Sequence, residues 1–249
     1  MLSQDAFLST CHGLSQIIEI PKGARFLSFL PLHHTFESST TFLFGLTCGL
    51  HIIFCDGLKY ISKNLVEFHV DGFVCVPLML EVMYKRIIKE IQKSHKLFMV
   101  NVLRRLFRNS SIEFKRKLFK KIINSLGGNL KTIIVGGAPM DKETIQGYND
   151  FGFDLHQGYG LTETCGPVVG ENSFSKKAGS VGFPLPNCKL KIDNPDKNGI
   201  GEIVVSSPAL FSEYYDNKDA TNEVLKDNWF YTGDLGYQDK DGFLFITRS

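Results

Sequence analysis

Short, mostly apolar runs recur along the chain and are separated by proline, glycine and polar residues. Residues 26–30 (FLSFL), 50–55 (LHIIFC), 73–76 (FVCV) and 132–135 (TIIV) have the length and the apolar, β-branched or aromatic character of strands. A proline directly follows the first and the third of these runs. Continuous apolar runs are typical of buried strands, so the pattern predicts strands at these positions.

Segments between these runs have helical spacing. Residues 1–25 predict a helix and a connecting turn, and residues 36–48 predict a second helix. A third helix is expected from Leu78 onward, because apolar residues recur every four positions while the opposite face is basic. The recurring apolar residues are Met79, Met83, Ile87 and Ile91.

Residues 132–157 predict a strand, a helix and a second strand. The run 132–135 ends in the turn 136–139 (GGAP), Asp141 can cap a helix that extends to about Asn149, and a strand follows at 154–157. This spacing is that of a βαβ unit, so we expect a parallel sheet. Glycine loops follow both strands, and ligands of open α/β sheets bind at that edge.

Glycine and proline become frequent after residue 178, and short alternating strands replace the helical patterns. Apolar side chains occupy every second position of 188–192 (CKLKI), and 243–246 (FLFI) closes a hairpin. The predicted fold class is α/β: a layered parallel-sheet subdomain with flanking helices, followed by a small β-rich, distorted barrel-like subdomain. We expect an N-terminal helix and connector over 1–25, the α/β part over 26–178 and the β-rich part over 179–249.

Charge is unevenly distributed along the chain. The net charge of the 249 residues is +2. Residues 85–121 hold 13 Lys or Arg and two Glu, which gives this segment a net charge of +11. The remaining residues therefore have a net charge of −9. Solvated helix faces explain most such runs, and peripheral contact with an anionic membrane is the alternative. The run lacks aromatic residues spaced for base stacking, so we expect no nucleic-acid partner.

The cysteines indicate the cellular compartment. The chain has six cysteines without a CxxC pair, which favours reduced thiols in an intracellular protein over a disulfide frame or a zinc site. The N-terminus lacks a secretory signal, and the most apolar stretch, 42–55, is shorter than a membrane helix. We therefore expect a cytoplasmic protein, with membrane association at the inner surface left open.

Residues 157–164 (QGYGLTET) carry the strongest chemical signal. Gly158 and Gly160 allow backbone to approach a ligand closely, and the Tyr159 ring can stack on a flat base. The Thr162 hydroxyl can donate to a phosphate oxygen. Glu163 can hold Mg²⁺ beside that phosphate, because Mg²⁺ favours carboxylates together with substrate phosphates. These residues predict a site for a nucleotide and its metal.

Five motifs follow one another along the chain. They are 30–37 (LPLHHTFE), 136–139 (GGAP), 157–164 (QGYGLTET), 231–236 (YTGDLG) and 241–248 (DGFLFITR). In this order they resemble the AMP-forming acyl-CoA synthetases of the adenylate-forming superfamily, and the resemblance covers nearly the whole chain. The form LPLHHTFE and the run 73–84 (FVCVPLMLEVMY) look most like the long-chain fatty acid members.

The resemblance implies a role for each site residue. Tyr159 would stack on adenine, with the backbone of Gly158 and Gly160 beside the ligand, Thr162 would contact the α-phosphate, and Glu163 would ligate Mg²⁺. The remaining assignments are Gly136, Gly137 and Ala138 along the adenine edge, Asp234 on the ribose, Arg248 on ribose or phosphate, and His34 between an acyl tunnel and the nucleotide. Plain turn or loop roles remain the alternative for the glycines, Asp234 and the histidines.

The reaction implied by the resemblance joins a fatty acid to coenzyme A at the expense of ATP, with Mg²⁺ and through an acyl-adenylate. Two alternatives remain open: an enzyme that adenylates another carboxylic acid, and a non-catalytic remnant that acts as a binding module. The sequence gives less support to a third alternative, a dinucleotide-dependent dehydrogenase. The dinucleotide-binding motif GxGxxG does not occur between a predicted strand and a predicted helix.

The resemblance also implies elements outside these 249 residues. Members of the superfamily have a Ser/Thr/Gly-rich phosphate loop before a segment like Met1–Gln4, and a C-terminal domain with a lysine after the hinge beyond Arg248. We therefore expect an internal fragment of the large N-terminal domain of a fatty acid–CoA ligase, and we expect the 249-residue piece to be inactive alone.

Overall fold

The computed structural model describes residues 1–248. Within these residues the strands are β1 (Arg25–Ser28), β2 (His51–Phe54), β3 (Gly72–Cys75), β4 (Thr132–Val135), β5 (Asp154–Leu161), β6 (Gly166–Gly170), β7 (Phe183–Pro184), β8 (Lys189–Asp193), β9 (Gly201–Ser206), β10 (Leu225–Lys226), β11 (Trp229–Gln238) and β12 (Leu244–Arg248).

The α-helices of the same described residues are α1 (Gln4–Ser15), α2 (Thr35–Glu37), α3 (Phe44–Cys48), α4 (Ile61–Glu67), α5 (Pro77–Lys93), α6 (Leu97–Leu106), α7 (Ile112–Leu118), α8 (Lys120–Ser125), α9 (Lys142–Phe151) and α10 (Lys218–Val224). A π-helix (Ser38–Leu43) joins α2 to α3, and 3₁₀ turns cover Leu58–Tyr60 and Thr162–Thr164. Over residues 1–248, no helix is both long and apolar enough to cross a membrane.

The chain forms two compact units that interleave along the sequence. One, the parallel-sheet unit, contains Ile20–Leu30 and Gly49–His156. The other, the antiparallel unit, contains Met1–Glu19, Pro31–Cys48 and the chain from Gln157 onward. The domain boundaries expected at residues 25 and 178 stay predictions, and the compact units follow different limits.

The parallel-sheet unit is built on the strand order β2-β1-β3-β4, with β5 next to β4. β1 is parallel to both β2 and β3, and β3 is parallel to β4. Every residue of β3 and of β4 is buried, as their continuous apolar sequences require. The core of this unit includes Phe73, Ile133 and Leu155. The predicted parallel sheet with flanking helices is confirmed.

Local signals place the helices of this unit. Asp141 is the N-cap of α9, and its carboxylate accepts a hydrogen bond from the Thr144 backbone N–H at 2.8 Å. Gly152 ends α9 in the left-handed conformation, with φ of +89°. Pro77 occupies the first turn of α5, directly after β3 and Val76. The predicted βαβ order from β4 through α9 to β5 is therefore confirmed.

The antiparallel unit contains two groups of strands. β6 pairs with β5 and with β7, and all these pairings are antiparallel. A five-stranded sheet has the order β10-β11-β9-β8, with β12 paired to β11. The apolar core of the antiparallel unit includes residues from both groups: Val169, Ile203, Val205 and Phe230. The predicted β-rich character of the chain after residue 178 is confirmed.

Some predicted boundaries differ from the structure. Residues 158–161, expected beyond the end of the strand 154–157, continue β5, because pairing with β6 satisfies their backbone groups. Gly160 permits this pairing, since a β-carbon there would lie 2.0 Å from the Gly166 carbonyl oxygen. β1 ends at Ser28, two residues before the end of the run 26–30. The helix expected over 36–48 is present, but its middle is the π-helix Ser38–Leu43.

Candidate functional site

The end of β5 and the turn after it hold the motif 157–164. Thr164 fixes this turn: its hydroxyl oxygen accepts from the Leu161 backbone N–H at 2.8 Å and donates to the Gly166 carbonyl at 2.7 Å. Cys165 then reverses the chain into β6 with φ of +56°. The polar residues of the motif therefore stand on a tight, hydrogen-bonded connection between two paired strands.

Tyr159 contacts Asp234, and this contact joins two motifs that are far apart in sequence. The Tyr159 hydroxyl donates to Oδ2 of Asp234 at 2.5 Å. Burial, followed by this hydrogen bond, raises the pKa of Tyr159 far above its ordinary value of 10. The phenol therefore keeps its proton at neutral pH and acts as the donor.

Asp234 lies at an irregularity of β11. The register between β11 and β9 shifts between Tyr231 and Leu235, and Gly233 has φ of +76°. The Asp234 backbone N–H donates to Oγ1 of Thr232 at 3.1 Å. A carboxylate has several acceptor positions on its two oxygens, so the bond from Tyr159 is compatible with a second bond from ribose hydroxyls. The ribose role stays a prediction.

The ring of Tyr159 packs in the apolar cluster of the antiparallel unit, with Val168, Val169 and Phe230. Only 8% of Tyr159 is exposed. Base stacking needs an accessible ring face, so adenine would have to pack on that small exposed part. The stacking role of Tyr159 stays a prediction.

Glu163 is half-buried and held by two contacts. Its Oε1 accepts from the Tyr214 hydroxyl at 2.8 Å, and its backbone carbonyl accepts from the Phe211 N–H at 2.7 Å. The Tyr214 ring lies 4.8 Å from the ring of Phe211, and its backbone N–H donates to Oγ1 of Thr221 at 3.0 Å. The Glu163 carboxylate therefore has a defined position before any ligand binds.

Tyr214 is a residue that sequence reasoning missed. Its partner Glu163 lies 51 residues earlier in the chain, and no local pattern signals such a pair. Burial, followed by the bond to Glu163, raises the pKa of Tyr214 to about 12. The phenol is thus a hydrogen-bond donor to the carboxylate throughout the physiological pH range.

The predicted magnesium role of Glu163 fits a single protein carboxylate. Among residues 1–248, no group of three or more His, Cys, Asp or Glu side chains could hold a metal ion. Mg²⁺ commonly takes one or two carboxylates and fills its remaining positions with water and phosphate oxygens. Glu163 would supply the protein ligand, and the exposed Thr162 on the same turn would face the phosphates.

His34 is exposed and stands at the N-cap position of the short helix α2, without a side-chain cap hydrogen bond. Its ring centroid lies 5.6 Å from that of His33. Neither the cap position nor the ring contact places His34 beside an acyl group or a nucleotide. Its predicted position at a tunnel wall therefore stays a prediction.

The glycine turn after β4 belongs to the parallel-sheet unit. The Gly136 N–H donates to the Cys75 carbonyl at 3.3 Å, and Gly137 has φ of +84°. A β-carbon at Gly137 would lie 3.9 Å from the nearest atom, so the backbone conformation rather than crowding requires glycine. Gly137 and Ala138 are exposed. Their predicted place along an adenine edge stays a prediction.

Arg248 is the last residue of β12, and its backbone pairs with Leu235 of β11. The side chain of Arg248 lies outside the part of the chain that the structure describes. Its predicted contact with ribose or phosphate stays a prediction.

Glu171 is a buried acid that the sequence left without a role. Its Oε2 accepts from the Gln157 N–H at 2.9 Å, and its own N–H donates to the Gln157 carbonyl at 2.9 Å. Burial raises the pKa of Glu171 to about 7. The reciprocal bonds hold the chain beside Gly158, where the motif begins.

The cysteines differ in burial. All six lie in the described residues, none of them forms a disulfide bond there, and Cys11, Cys75 and Cys165 are buried. Their predicted reduced state stays a prediction. Burial raises the pKa of Cys11 to about 11 and that of Cys165 to about 12. These thiols are therefore protonated and unreactive at neutral pH.

Comparison with known proteins agrees with the motifs. Residues 1–215 match the family described as AMP-binding enzyme. The long-chain-fatty-acid–CoA ligase FadD15 of Mycobacterium tuberculosis is 32% identical over 245 residues, which cover 91% of this chain and 39% of the relative. The 2-succinylbenzoate–CoA ligase of Bacillus cereus is 32% identical over 193 residues, which cover 72% of this chain and 39% of the relative. The chain thus spans about two fifths of the length of these curated relatives.

Solved structures of such enzymes have the same fold. The N-terminal domain of FACL13 from Mycobacterium tuberculosis aligns with 98% of this chain and 55% of its own, at 25% identity and a TM-score of 0.74. The o-succinylbenzoate coenzyme A synthetase MenE of Bacillus subtilis, in complex with ATP and magnesium ion, aligns with 98% of this chain and 46% of its own, at 23% identity and the same TM-score of 0.74. The two curated relatives above are named as CoA ligases. From its sequence match over residues 1–215, the chain belongs to the AMP-binding enzyme family.

Proposed function

We propose that the protein activates a long-chain fatty acid as its adenylate and transfers the acyl group to coenzyme A. The observation that carries the proposal is the contact between Tyr159 and Asp234, at 2.5 Å. It joins the motif 157–164, which holds Glu163, to the motif 231–236. In this proposal β5 would supply the aromatic ring, the turn after it would supply the carboxylate for the metal, and β11 would supply an acceptor for sugar hydroxyls.

The first step is a displacement at phosphorus. A carboxylate oxygen of the fatty acid attacks the α-phosphorus of ATP, the bond to pyrophosphate breaks, and the acyl-adenylate forms. Both reactants are anions, so their approach requires neutralisation of charge. Mg²⁺, when bound, supplies that charge. Glu163 would hold it at the position set by Tyr214, and the Thr162 hydroxyl would donate to an α-phosphate oxygen.

The second step transfers the acyl group. The sulfur of coenzyme A attacks the acyl carbon, the bond between that carbon and the AMP oxygen breaks, and the thiol proton leaves to solvent. No protein nucleophile is required. The thiols of Cys11 and Cys165 are poor nucleophiles, because burial raises their pKa values.

Two relatives support a fatty acid as the substrate. FadD15 is named a long-chain-fatty-acid–CoA ligase and covers 91% of this chain, and the Arabidopsis thaliana long chain acyl-CoA synthetase 4 covers 99% of it at 27% identity. The 2-succinylbenzoate–CoA ligase of Bacillus cereus supports another carboxylic acid, with identity of 32% over 72% of this chain. Greater coverage and the form LPLHHTFE favour the fatty acid.

Thioester formation tests the substrate. The full-length protein is incubated with Mg·ATP, coenzyme A and one acid at a time, from short to long fatty acids and 2-succinylbenzoate. We expect the highest kcat/KM with long-chain acids. A higher value for 2-succinylbenzoate contradicts the fatty acid assignment and leaves the adenylation chemistry intact. Nucleotide binding without thioester formation from any acid supports the non-catalytic binding module instead.

A further inference from the structure

Helix α6 (Leu97–Leu106) is apolar on two faces, and only one of them is covered. Val100 is buried in the core of the parallel-sheet unit, and Leu97 and Leu103 pack against that core. On the opposite side, Phe98 is 83% exposed and Leu106 is 70% exposed. A helix on the surface of a globular protein normally presents polar residues to water, so the uncovered apolar side chains need a partner.

The uncovered residues lie along one side of the helix. Phe98, Met99, Val102, Arg105 and Leu106 are all exposed, and their spacing of three and four residues places them on one face. We call these five residues the outward face of α6. Apolar surface continues beyond α6. The ring of Phe107, directly after α6, lies 5.1 Å from the ring of Phe114 in the next helix α7, and Phe114 is exposed.

Basic residues lie on the outward face of α6 and directly before it. Arg105 lies on the face, and the exposed Lys96 directly precedes the helix. Residues 85–121, which contain α6, have a net charge of +11. An apolar surface within a basic segment complements a partner that has an apolar interior beneath a negative surface.

We propose that the outward face of α6 docks on an anionic lipid bilayer. Phe98, Met99, Val102 and Leu106 would insert among the acyl chains, and Lys96 and Arg105 would remain at the level of the headgroups. Amphipathic helices with aromatic and aliphatic residues beside Lys and Arg bind membranes in this orientation, parallel to the surface. The docking does not depend on the proposed ligase activity.

Binding to vesicles tests the apolar contribution. The 249-residue chain is sedimented with vesicles of phosphatidylcholine alone or with vesicles that also contain phosphatidylglycerol. We expect binding to the anionic vesicles and a reduction of at least about tenfold in the Phe98→Ser, Leu106→Ser double variant. The matched control is Phe174→Ser, since Phe174 is 84% exposed but lies in the antiparallel unit. We expect this variant to bind as the unchanged chain does.

Charge reversal tests the electrostatic contribution. Lys96→Glu together with Arg105→Glu should lower binding to anionic vesicles by at least about tenfold, and added salt should lower it for the unchanged chain. The control pair Lys197→Glu and Lys240→Glu changes two exposed lysines outside the basic segment by the same total charge. Equal loss in the control pair contradicts the assignment to α6, because it indicates a response to net charge alone.

Fluorescence reports insertion at residue 98. Trp229 is the only tryptophan of the chain, so Phe98→Trp with Trp229→Phe gives a single probe on the outward face of α6. We expect its emission to shift to shorter wavelength on addition of anionic vesicles. Circular dichroism and thermal melting establish that each variant is folded, and removal of exposed side chains should leave both nearly unchanged.

Any of the following results also overturns the proposal. The first is a folded chain that does not bind anionic vesicles. The second is unchanged binding when Phe98 and Leu106 are replaced, or equal binding to neutral vesicles. The third is self-association that the Phe98→Ser, Leu106→Ser variant abolishes in the absence of lipid, which assigns the face to a second copy of the chain.

Discussion

At two positions of the antiparallel unit a phenol donates to a carboxylate. Tyr159 donates to Asp234 at 2.5 Å, and Tyr214 donates to Glu163 at 2.8 Å. Each bond fixes the direction of an acidic side chain that the proposed reaction uses. A hydrogen bond to a charged group contributes about 1.5–3 kcal/mol, so the loss of either donor should be measurable.

Tyr214→Phe tests the positioning of Glu163. The change removes one hydroxyl and leaves the ring against Phe211, so the carboxylate of Glu163, the proposed metal ligand, should lose its orientation without loss of packing. We expect the Mg²⁺ concentration for half-maximal ATP–pyrophosphate exchange to rise about tenfold. Tyr215→Phe is the control, because Tyr215 is the adjacent residue and is 84% exposed. An unchanged Mg²⁺ requirement in Tyr214→Phe contradicts the positioning role.

Glu171→Gln tests the buried acid. The pKa of Glu171 is raised to about 7, so between about pH 4.5 and pH 7 the folded state binds more protons than the unfolded state. The contribution of Glu171 to the free energy of unfolding is therefore complete below this window and is lost as the pH rises through it. The loss is about 3 kcal/mol for a fully buried carboxyl. We expect the unfolding free energy of Glu171→Gln, measured with urea, to vary less with pH across this window than that of the unchanged protein.

The control for that measurement is Glu223→Gln, which changes an exposed glutamate of α10. Its unfolding free energy should follow the same pH dependence as that of the unchanged protein. A Glu171→Gln variant that retains the full decline between pH 4.5 and pH 7 indicates that another group causes it.

At the scale of elements, the pairing of β5 with β6 positions the polar residues of the motif 157–164. The two strands are joined by the 3₁₀ turn Thr162–Thr164, and they approach closely at Gly160. A side chain at that position has no room, because its β-carbon would meet the Gly166 carbonyl oxygen at 2.0 Å. The position of Glu163 therefore depends on a glycine in the preceding strand.

Gly160→Ala should disrupt this pairing. Backbone cannot yield as a flexible side chain does, so we expect a loss of about 3 kcal/mol or more in the unfolding free energy, measured with urea. Gly158→Ala, in the same strand, is the matched comparison, since its β-carbon would lie 3.3 Å from the nearest atom, the Val169 carbonyl oxygen. Equal stability of the two variants contradicts the close approach at Gly160.

Elements that depend on local signals were predictable from sequence. The cap at Asp141, the buried strand β4 and the helix that begins at Pro77 agree with their sequence patterns, because neighbouring residues determine them. The continuation of β5 through 158–161 was not predictable, since glycines usually weaken strands and only the pairing with β6 explains it. The partner of Asp234 lies 75 residues away, and local periodicity carries no signal of such a contact.

At the scale of the whole molecule, the order of the five motifs was sufficient to predict the fold and the family by resemblance. The motifs do not determine which carboxylic acid is the substrate. The parallel-sheet unit and the antiparallel unit each contain motif residues, and each is stabilised by its own apolar core. Relatives named for fatty acids and for 2-succinylbenzoate have comparable identity to this chain, 32% in both cases. Discrimination between acids depends on the shape of the acyl site, which composition and spacing do not specify.

The most direct test of the central claim is ATP–pyrophosphate exchange by the full-length protein, with and without a long-chain fatty acid, in the unchanged sequence and in Glu163→Gln. We predict exchange that requires the acid and Mg²⁺ and that falls at least about a hundredfold in Glu163→Gln, because the variant loses the carboxylate that would hold the metal. Glu223→Gln should exchange at the unchanged rate. Exchange that no carboxylic acid stimulates, or that persists undiminished in Glu163→Gln, contradicts the account.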